Sequence, residues 1–269
     1  MRHFSADCLV LRSLARGEND RLVTLLSAEH GKFYAIVKGA NSIFRREVAA
    51  TEPYTLSNVE FYTKNQVKWV KVASAKESFA GLRYDMDKLF LAAYIADVAA
   101  ELSDERQPAE EILSLTLNTL HMIANTKGED ARIKAAFEMR AACIAGFWPD
   151  LSQCGTCHRE IHGDGYLDVM NGAYLCRECL AKRTAIAPLP EVDEMGGRTL
   201  LCPLSPGSAT ALAYVTTAPA KRLFAFRITD ERELREFSAA AEAYLLHHLE
   251  RGFDSLENYK KLDALKPKK

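Results

Sequence analysis

Two Cys-x2-Cys pairs, Cys154/Cys157 and Cys176/Cys179, stand 18 residues apart and constrain this chain more than any other feature. Each pair can turn tightly enough to aim both thiolates at one point. Zn²⁺ favours four such ligands in a tetrahedron, with sulfur at about 2.3 Å. Between the pairs, Tyr166-Leu167-Asp168-Val169 and Ala173-Tyr174-Leu175 flank Met170-Asn171-Gly172, the pattern of a small hairpin carrying the second pair. The layout is that of a zinc ribbon over residues 151–186. Four other readings compete with it. Two disulfides are disfavoured in a reducing compartment. A redox Cys-x2-Cys needs no second pair. A catalytic zinc keeps one position open to water. A mixed Cys/His set would draw on His158 or His162. Four thiolates already close the shell, so the expected cofactor is a structural Zn²⁺ that supplies folding free energy to a segment too small for its own core.

The compartment follows from composition. The chain has 269 residues, 48% hydrophobic and 26% charged, with a formal net charge of -1. Such a composition excludes a disordered or collagen-like chain, and the length suits about two domains of the usual ~100–200 residues. No apolar run approaches the ~18–20 residues that span a bilayer. The start, Met1 to Asp7, reaches a charge too early for a signal peptide. The expectation is a cytoplasmic protein without a membrane partner. The charge is unevenly spread: residues 1–80 carry +4, residues 81–153 carry -5, and the remaining segments are neutral. Electrostatic attraction depends on where charge sits, so a net of -1 does not exclude an anion-binding module.

The hydrophobic period changes near residue 80. Before it, Cys8–Leu11, Arg21–Leu26, Lys32–Val37, Pro53–Leu56, Val59–Tyr62 and Val67–Val72 read as five or six short strands with turns between them, predicting a small closed or nearly closed barrel. A helix there would have to ignore Gly17, Gly31, Gly39 and Pro53. After it, apolar residues recur at helical spacing from Leu82, with Asp85 or Asp87 as the start signal. Pro108 with Glu110-Glu111 predicts a second helix, and Glu129–Phe147 a third. Residues 187–200 read as loop. Ser205-Pro206 predicts a helix start, and Asp230 with Glu233 has capping-box spacing ahead of a helix to about Arg251. The tail Lys266–Lys269 reads as frayed. The fold class expected is α+β multidomain, divided as a barrel over 1–80, helices over 81–150 and 187–269, and the four-cysteine insertion over 151–186.

No catalytic motif is present: there is no phosphate loop, GxGxxG, GxSxG or HExxH. A binding protein is favoured over an enzyme. Cys8, Cys143 and Cys202 read as buried reduced thiols, and His247-His248 as surface or edge residues. In the first segment, Arg12, Arg16, Arg21, Lys32, Lys38, Arg45, Arg46, Lys64, Lys68 and Lys71 alternate with Phe33, Tyr34, Phe44, Tyr54, Phe61, Tyr62 and Trp69. Basic side chains that track phosphates, mixed with aromatic faces that stack bases, are what a small barrel needs to hold single strands. Most of these aromatics are equally suited to fill the barrel interior.

The chain resembles the RecO family of bacterial recombination mediators, in motifs spread over nearly its whole length. These are Leu9–Arg12 through Gly17-Glu18-Asn19-Asp20-Arg21, and Glu29-His30-Gly31-Lys32 running into Val37-Lys38-Gly39-Ala40. Further on come Phe137–Arg140 through Gly146–Leu151, Asn171-Gly172 before the second cysteine pair, and Tyr244 through Phe253–Leu256. Asn41-Ser42-Ile43-Phe44 departs from the basic run usual in the family at that place. The resemblance implies an N-terminal OB-fold barrel, an α-helical domain and an inserted four-cysteine zinc ribbon. It implies binding of single- and double-stranded DNA, annealing of complementary strands, and partnership with RecR and the acidic C-terminal tail of single-stranded DNA-binding protein (SSB). The outcome would be RecA loading in gap repair. The DNA-contact candidates are Arg12, Arg16, Arg21, Lys32, Lys38, Arg45 and Arg46. The candidates for the partner tail are Arg132, Lys134 and Arg140. The competing functional class is a zinc-ribbon adaptor or RNA-binding regulator, and a third is a Cys/His metalloenzyme.

Overall fold

The computed structural model describes residues 2–40, 46–161, 163–186 and 200–265. The chain divides into two compact units, one from residues 1–127 with 253–269, the other from residues 128–252.

In the first unit, period-two alternation yields five strands: β1 (Arg2–Arg16), β2 (Asp20–Ser27), β3 (Gly31–Val37), β4 (Leu56–Lys64) and β5 (Val67–Glu77). They close into a barrel of order β1-β2-β3-β5-β4, completed by β1 pairing with β4. β3 and β5 run parallel and meet at Ile36 opposite Trp69, whereas the other pairings are antiparallel. Val10, Val23, Leu25, Phe33, Val59 and Phe61 all point inward into one buried cluster, so their strand neighbours point outward. The α+β class with an N-terminal, OB-like five-stranded barrel is as expected.

Three local features differ from the sequence reading. β1 far exceeds the run Cys8–Leu11, because its first half pairs with β4 and its second with β2, with a bulge between Val10 and Arg12 at the changeover. Pro53 and Tyr54 lie outside β4; Tyr54 has φ 62 and its N–H donates to the Val10 carbonyl at 2.7 Å. A short helix, α1 (Arg46–Ala50), occurs where none was expected, since Gly39 and Pro53 bracket it and do not interrupt it.

Two helices follow in this unit, α2 (Met86–Glu101) and α3 (Glu110–Asn125). Asp85, not Asp87, caps α2: its carboxylate accepts the N–H groups of Asp87 and Lys88 at 2.9 and 3.4 Å. α2 buries Leu91, Tyr94, Ile95 and Val98 because it is flanked by β1, α3 and the last helix.

The second unit holds α4 (Asp130–Ile144), α5 (Arg177–Ile186), α6 (Pro206–Thr217) and α7 (Glu231–His248), with β6 (Asp150–Cys154), β7 (Gly165–Asp168), β8 (Ala173–Cys176) and β9 (Leu201–Leu204). The strands form one sheet of order β6-β8-β7-β9. β7 and β8 are the expected hairpin. The Asp168 carboxylate holds its turn by accepting the Asn171 N–H at 3.2 Å and the Asn171 side chain at 2.9 Å. β9 escaped the sequence reading, because Pro203 argues against a strand; it is tolerated at the sheet edge opposite Tyr166. The loop reading of 187–200 falls outside the described residues up to 199, as does that of the tail. Asp230 caps α7 as expected, accepting from the N–H groups of Arg232 and Glu233 at 2.7 and 3.0 Å. Ser205 stands at the N-cap of α6 without capping it through its side chain. The Glu236 carboxylate instead accepts the Ser205 N–H at 2.8 Å and the Ser208 hydroxyl at 3.2 Å. The chain then returns to the first unit as α8 (Asp254–Ala264), where the Ser255 hydroxyl donates to Asp97 at 2.7 Å.

Candidate nucleic-acid interface and metal centre

The four cysteines converge. Cys154 ends β6, Cys157 lies in the turn after it, Cys176 ends β8 and Cys179 sits in the first turn of α5. Their Sγ atoms all lie within 4.8 Å of one another, and those of Cys157 and Cys176 are 3.8 Å apart. An ideal tetrahedron with sulfur at about 2.3 Å from the metal separates its sulfurs by about 3.8 Å, so the donor set fits a four-thiolate ion. Burial raises the Cys154 thiol, but the backbone N–H groups of Cys176, Cys157 and Thr156 outweigh it and bring it down to about 6. Its neighbour Cys176, with burial, holds the Cys179 thiol up at about 12. Thiols this close resist sharing negative charge, and a divalent cation among them reverses that by deprotonating its ligands. Among the described residues the cluster contains cysteine alone. His158 is exposed in left-handed backbone at φ 57, and His162 lies outside the described residues. Gly165 admits the buried Tyr174 ring, whose atoms would stand 2.2 Å from any Cβ there.

The barrel sorts the basic and aromatic residues of the first segment. Phe33 and Phe61 are core. Tyr54 is half-buried, and burial pushes its hydroxyl up to about 12. Tyr34, Tyr62 and Trp69 point outward by alternation, with Tyr34 46% exposed and the Tyr62 and Trp69 rings stacked at 6.4 Å. Phe44 and Arg45 lie outside the described residues. Arg46 opens α1.

The cations divide into two groups. Arg12 donates to Asp97 at 2.9 and 2.5 Å, and Arg21 pairs with Glu52 at 2.7 Å. Lys32 donates to the Ala100 carbonyl at the end of α2, at 2.5 Å. These three hold the first unit together. Arg16, at the end of β1, is exposed and forms no ion pair among the described residues. Lys38 lies 5.0 Å over the Trp69 ring. A shallow groove of about 260 Å³ lies on the outer β2–β3 face, lined by Arg16, Leu22, Tyr34, Ile36 and residues of the β4–β5 hairpin. In OB-folds this face and the loops β1–β2 and β4–β5 are where oligonucleotides bind.

The cations expected to edge a partner-tail groove are turned to internal partners. Lys134 is buried between Glu138 and Glu242, 2.7 Å from each. Burial alone would lower its pKa, and the two carboxylates raise it above the ordinary lysine value. Arg132 donates to the Phe224 and Phe226 carbonyls at 3.0 and 3.2 Å, and Arg140 to those of Val215 and Ala218 at 2.8 and 2.5 Å. The cation over Trp69 and the Asp97 tie of Arg12 carried no signal in the sequence, because both join residues far apart in the chain.

Comparisons with known proteins agree over the whole length. The family model described as "Recombination protein O N terminal" matches residues 1–79, and "Recombination protein O C terminal" matches residues 83–193. The DNA repair protein RecO of Acetivibrio thermocellus is 27% identical over 266 residues, covering 99% of this chain and all of that protein. Those of Anaeromyxobacter sp. (strain K) and Anaeromyxobacter dehalogenans (strain 2CP-C) are 32% and 33% identical, each covering 90% of both chains. The chain belongs to the RecO family of DNA repair proteins.

Proposed function

We propose that this protein is a non-enzymatic mediator of recombinational gap repair in the bacterial cytoplasm, associated with the nucleoid. It binds single- and double-stranded DNA on the barrel, anneals complementary strands, and acts with RecR and the acidic tail of SSB so that RecA can load. The observation that carries this is the outward aromatic and basic surface: Tyr34, Tyr62 and Trp69 beside Arg16 and Lys38. Aromatic faces stack bases without sequence preference, and cations release counterions from phosphates. Neutralising two backbones at once lets complementary strands approach and pair. Arg45 and Arg46 add two cations to the same stretch of chain, while Arg12, Arg21 and Lys32 reach DNA only by exchanging their internal partners for phosphate. Cys154, Cys157, Cys176 and Cys179 hold one structural Zn²⁺, which shapes the second unit and takes no part in chemistry. The test is strand annealing on SSB-coated complementary oligonucleotides. Accelerated annealing with the whole protein, lost in Arg16→Ala/Lys38→Ala, is expected; annealing no faster than SSB-coated strands alone overturns the proposal.

A further inference from the structure

We infer that the open mouth of the barrel is a pocket for a single extruded nucleobase that bears an exocyclic amine. The inference rests on the nucleic-acid reading above and adds a subsite to it. A cavity of about 570 Å³ opens where β1 begins, the β2–β3 turn bends and the β4–β5 hairpin ends. Its floor is aromatic. Phe33 faces inward, and Phe4 is half-buried, stacked on Phe61 at 4.8 Å and meeting the His30 ring edge-on at 5.3 Å. Alternation on β5 turns Lys68 inward beside the outward Trp69, and its ammonium stands 5.1 Å over the Phe33 ring. Glu29, Glu105 and Arg106 complete the rim.

The rim is held in place. The Arg106 N–H donates to the His30 carbonyl at 3.2 Å and the Lys32 N–H to the Asp104 carbonyl at 3.1 Å. At Gly31 (φ +62) a Cβ would lie 2.3 Å from the Asp104 and Gln107 carbonyls, so only glycine lets the two segments close. Arg106 itself is a non-glycine residue in left-handed backbone, at φ 66, the kind of conformation that concentrates at ligand sites.

The charge on this pocket is balanced, two cations against two carboxylates, which suits neither a bare phosphate nor a purely apolar ligand. A base fits: its π face lies on Phe4 and His30, the partly exposed rings of the floor, and its edge donates to carboxylates. A carboxylate accepts from an exocyclic amine, whereas thymine offers it only one ring N3–H flanked by two carbonyl oxygens that repel it, so the amine-bearing bases, cytosine among them, are favoured over thymine. The mouth is continuous with the outer groove, because Gln66, Lys68 and Glu105 line both. A strand in the groove therefore needs to turn only one base over the hairpin tip. Extrusion is least costly from a single strand.

The experiment measures binding of fluorescent dC12 and dT12 to the whole protein at one fixed low salt concentration, for wild type, Glu29→Ala/Glu105→Ala and His30→Ala. Thermal melts confirm that each variant folds. Wild type is expected to favour dC12 by roughly tenfold. The double variant should gain affinity for both strands yet lose the ratio, and His30→Ala should weaken dC12 severalfold. Equal affinity of wild type for both strands, or a ratio that survives the double variant, overturns the pocket and leaves the groove standing. Binding of neither strand by wild type overturns the nucleic-acid reading itself.

Discussion

Lys32, Arg12 and Arg16 carry the same charge in the same barrel, and what each does depends on what stands opposite it. Lys32 places its ammonium on the Ala100 carbonyl, where the C-terminal end of the α2 dipole favours a cation. Arg12 is paired with Asp97, which also accepts from Ser255, so one carboxylate ties β1, α2 and α8 together. Arg16 keeps its charge for solvent or a ligand. Lys32→Met is expected to lower the melting temperature by about 2–4 °C, for the roughly 1 kcal/mol that such an end-of-helix bond contributes, without changing the salt dependence of oligonucleotide binding. Arg16→Ala should do the opposite: an unchanged melt, and a slope of log K against log salt shallower by about 0.7 for the lost phosphate contact. A slope that moves with Lys32 and not with Arg16 would reverse the assignment.

Elements decide which chemistry a residue meets. On β5, successive residues put Lys68 into the mouth and Trp69 onto the outer face, because a strand's side chains alternate. At the C-terminal end of α7, His248 stacks on the Phe147 ring at 4.6 Å and meets Tyr244 edge-on at 4.3 Å. Burial, then the adjacent His247, hold its pKa below the ordinary 6.5, while a bond with the Val169 backbone partly opposes them. The sign follows: the folded state prefers the neutral ring, so the unfolded chain binds more protons. The stability of the second unit should therefore fall as pH drops through 6.5 toward 5. Melting temperatures measured across this window should decline in wild type and flatten in His248→Phe; parallel declines would assign the loss to other groups.

At the scale of the whole molecule, the groove and the mouth belong to the first unit, and the four cysteines belong to the second. Chelation at neutral pH should therefore release one metal per chain and lower the melting temperature of the second unit. Binding of short oligonucleotides should stay within about twofold of its original value; its loss on chelation would place DNA contacts in the ribbon unit. Much of this organisation was legible in the sequence. The cysteine spacing is a local signal, since each pair closes within one turn, and Cys154 to Cys179 do converge. Period-two and helical patterns report which face of an element is apolar, so the barrel and the helices are legible in the order of residues alone. Asp85 and Asp230 cap their helices within three residues of themselves. The fates of the cations were not legible. Arg12 meets Asp97 across 85 positions, Lys134 meets Glu242 across 108, and Arg140 meets Val215 across 75. A basic residue in a sequence is a charge without a partner, and its partner is chosen by packing. The sequence by itself determined most of the elements, the four-cysteine cluster and the family, because these rest on short-range geometry. Only the tertiary structure decided which cations hold the fold and which face a ligand, because burial and long-range pairing exist only once the chain has closed on itself.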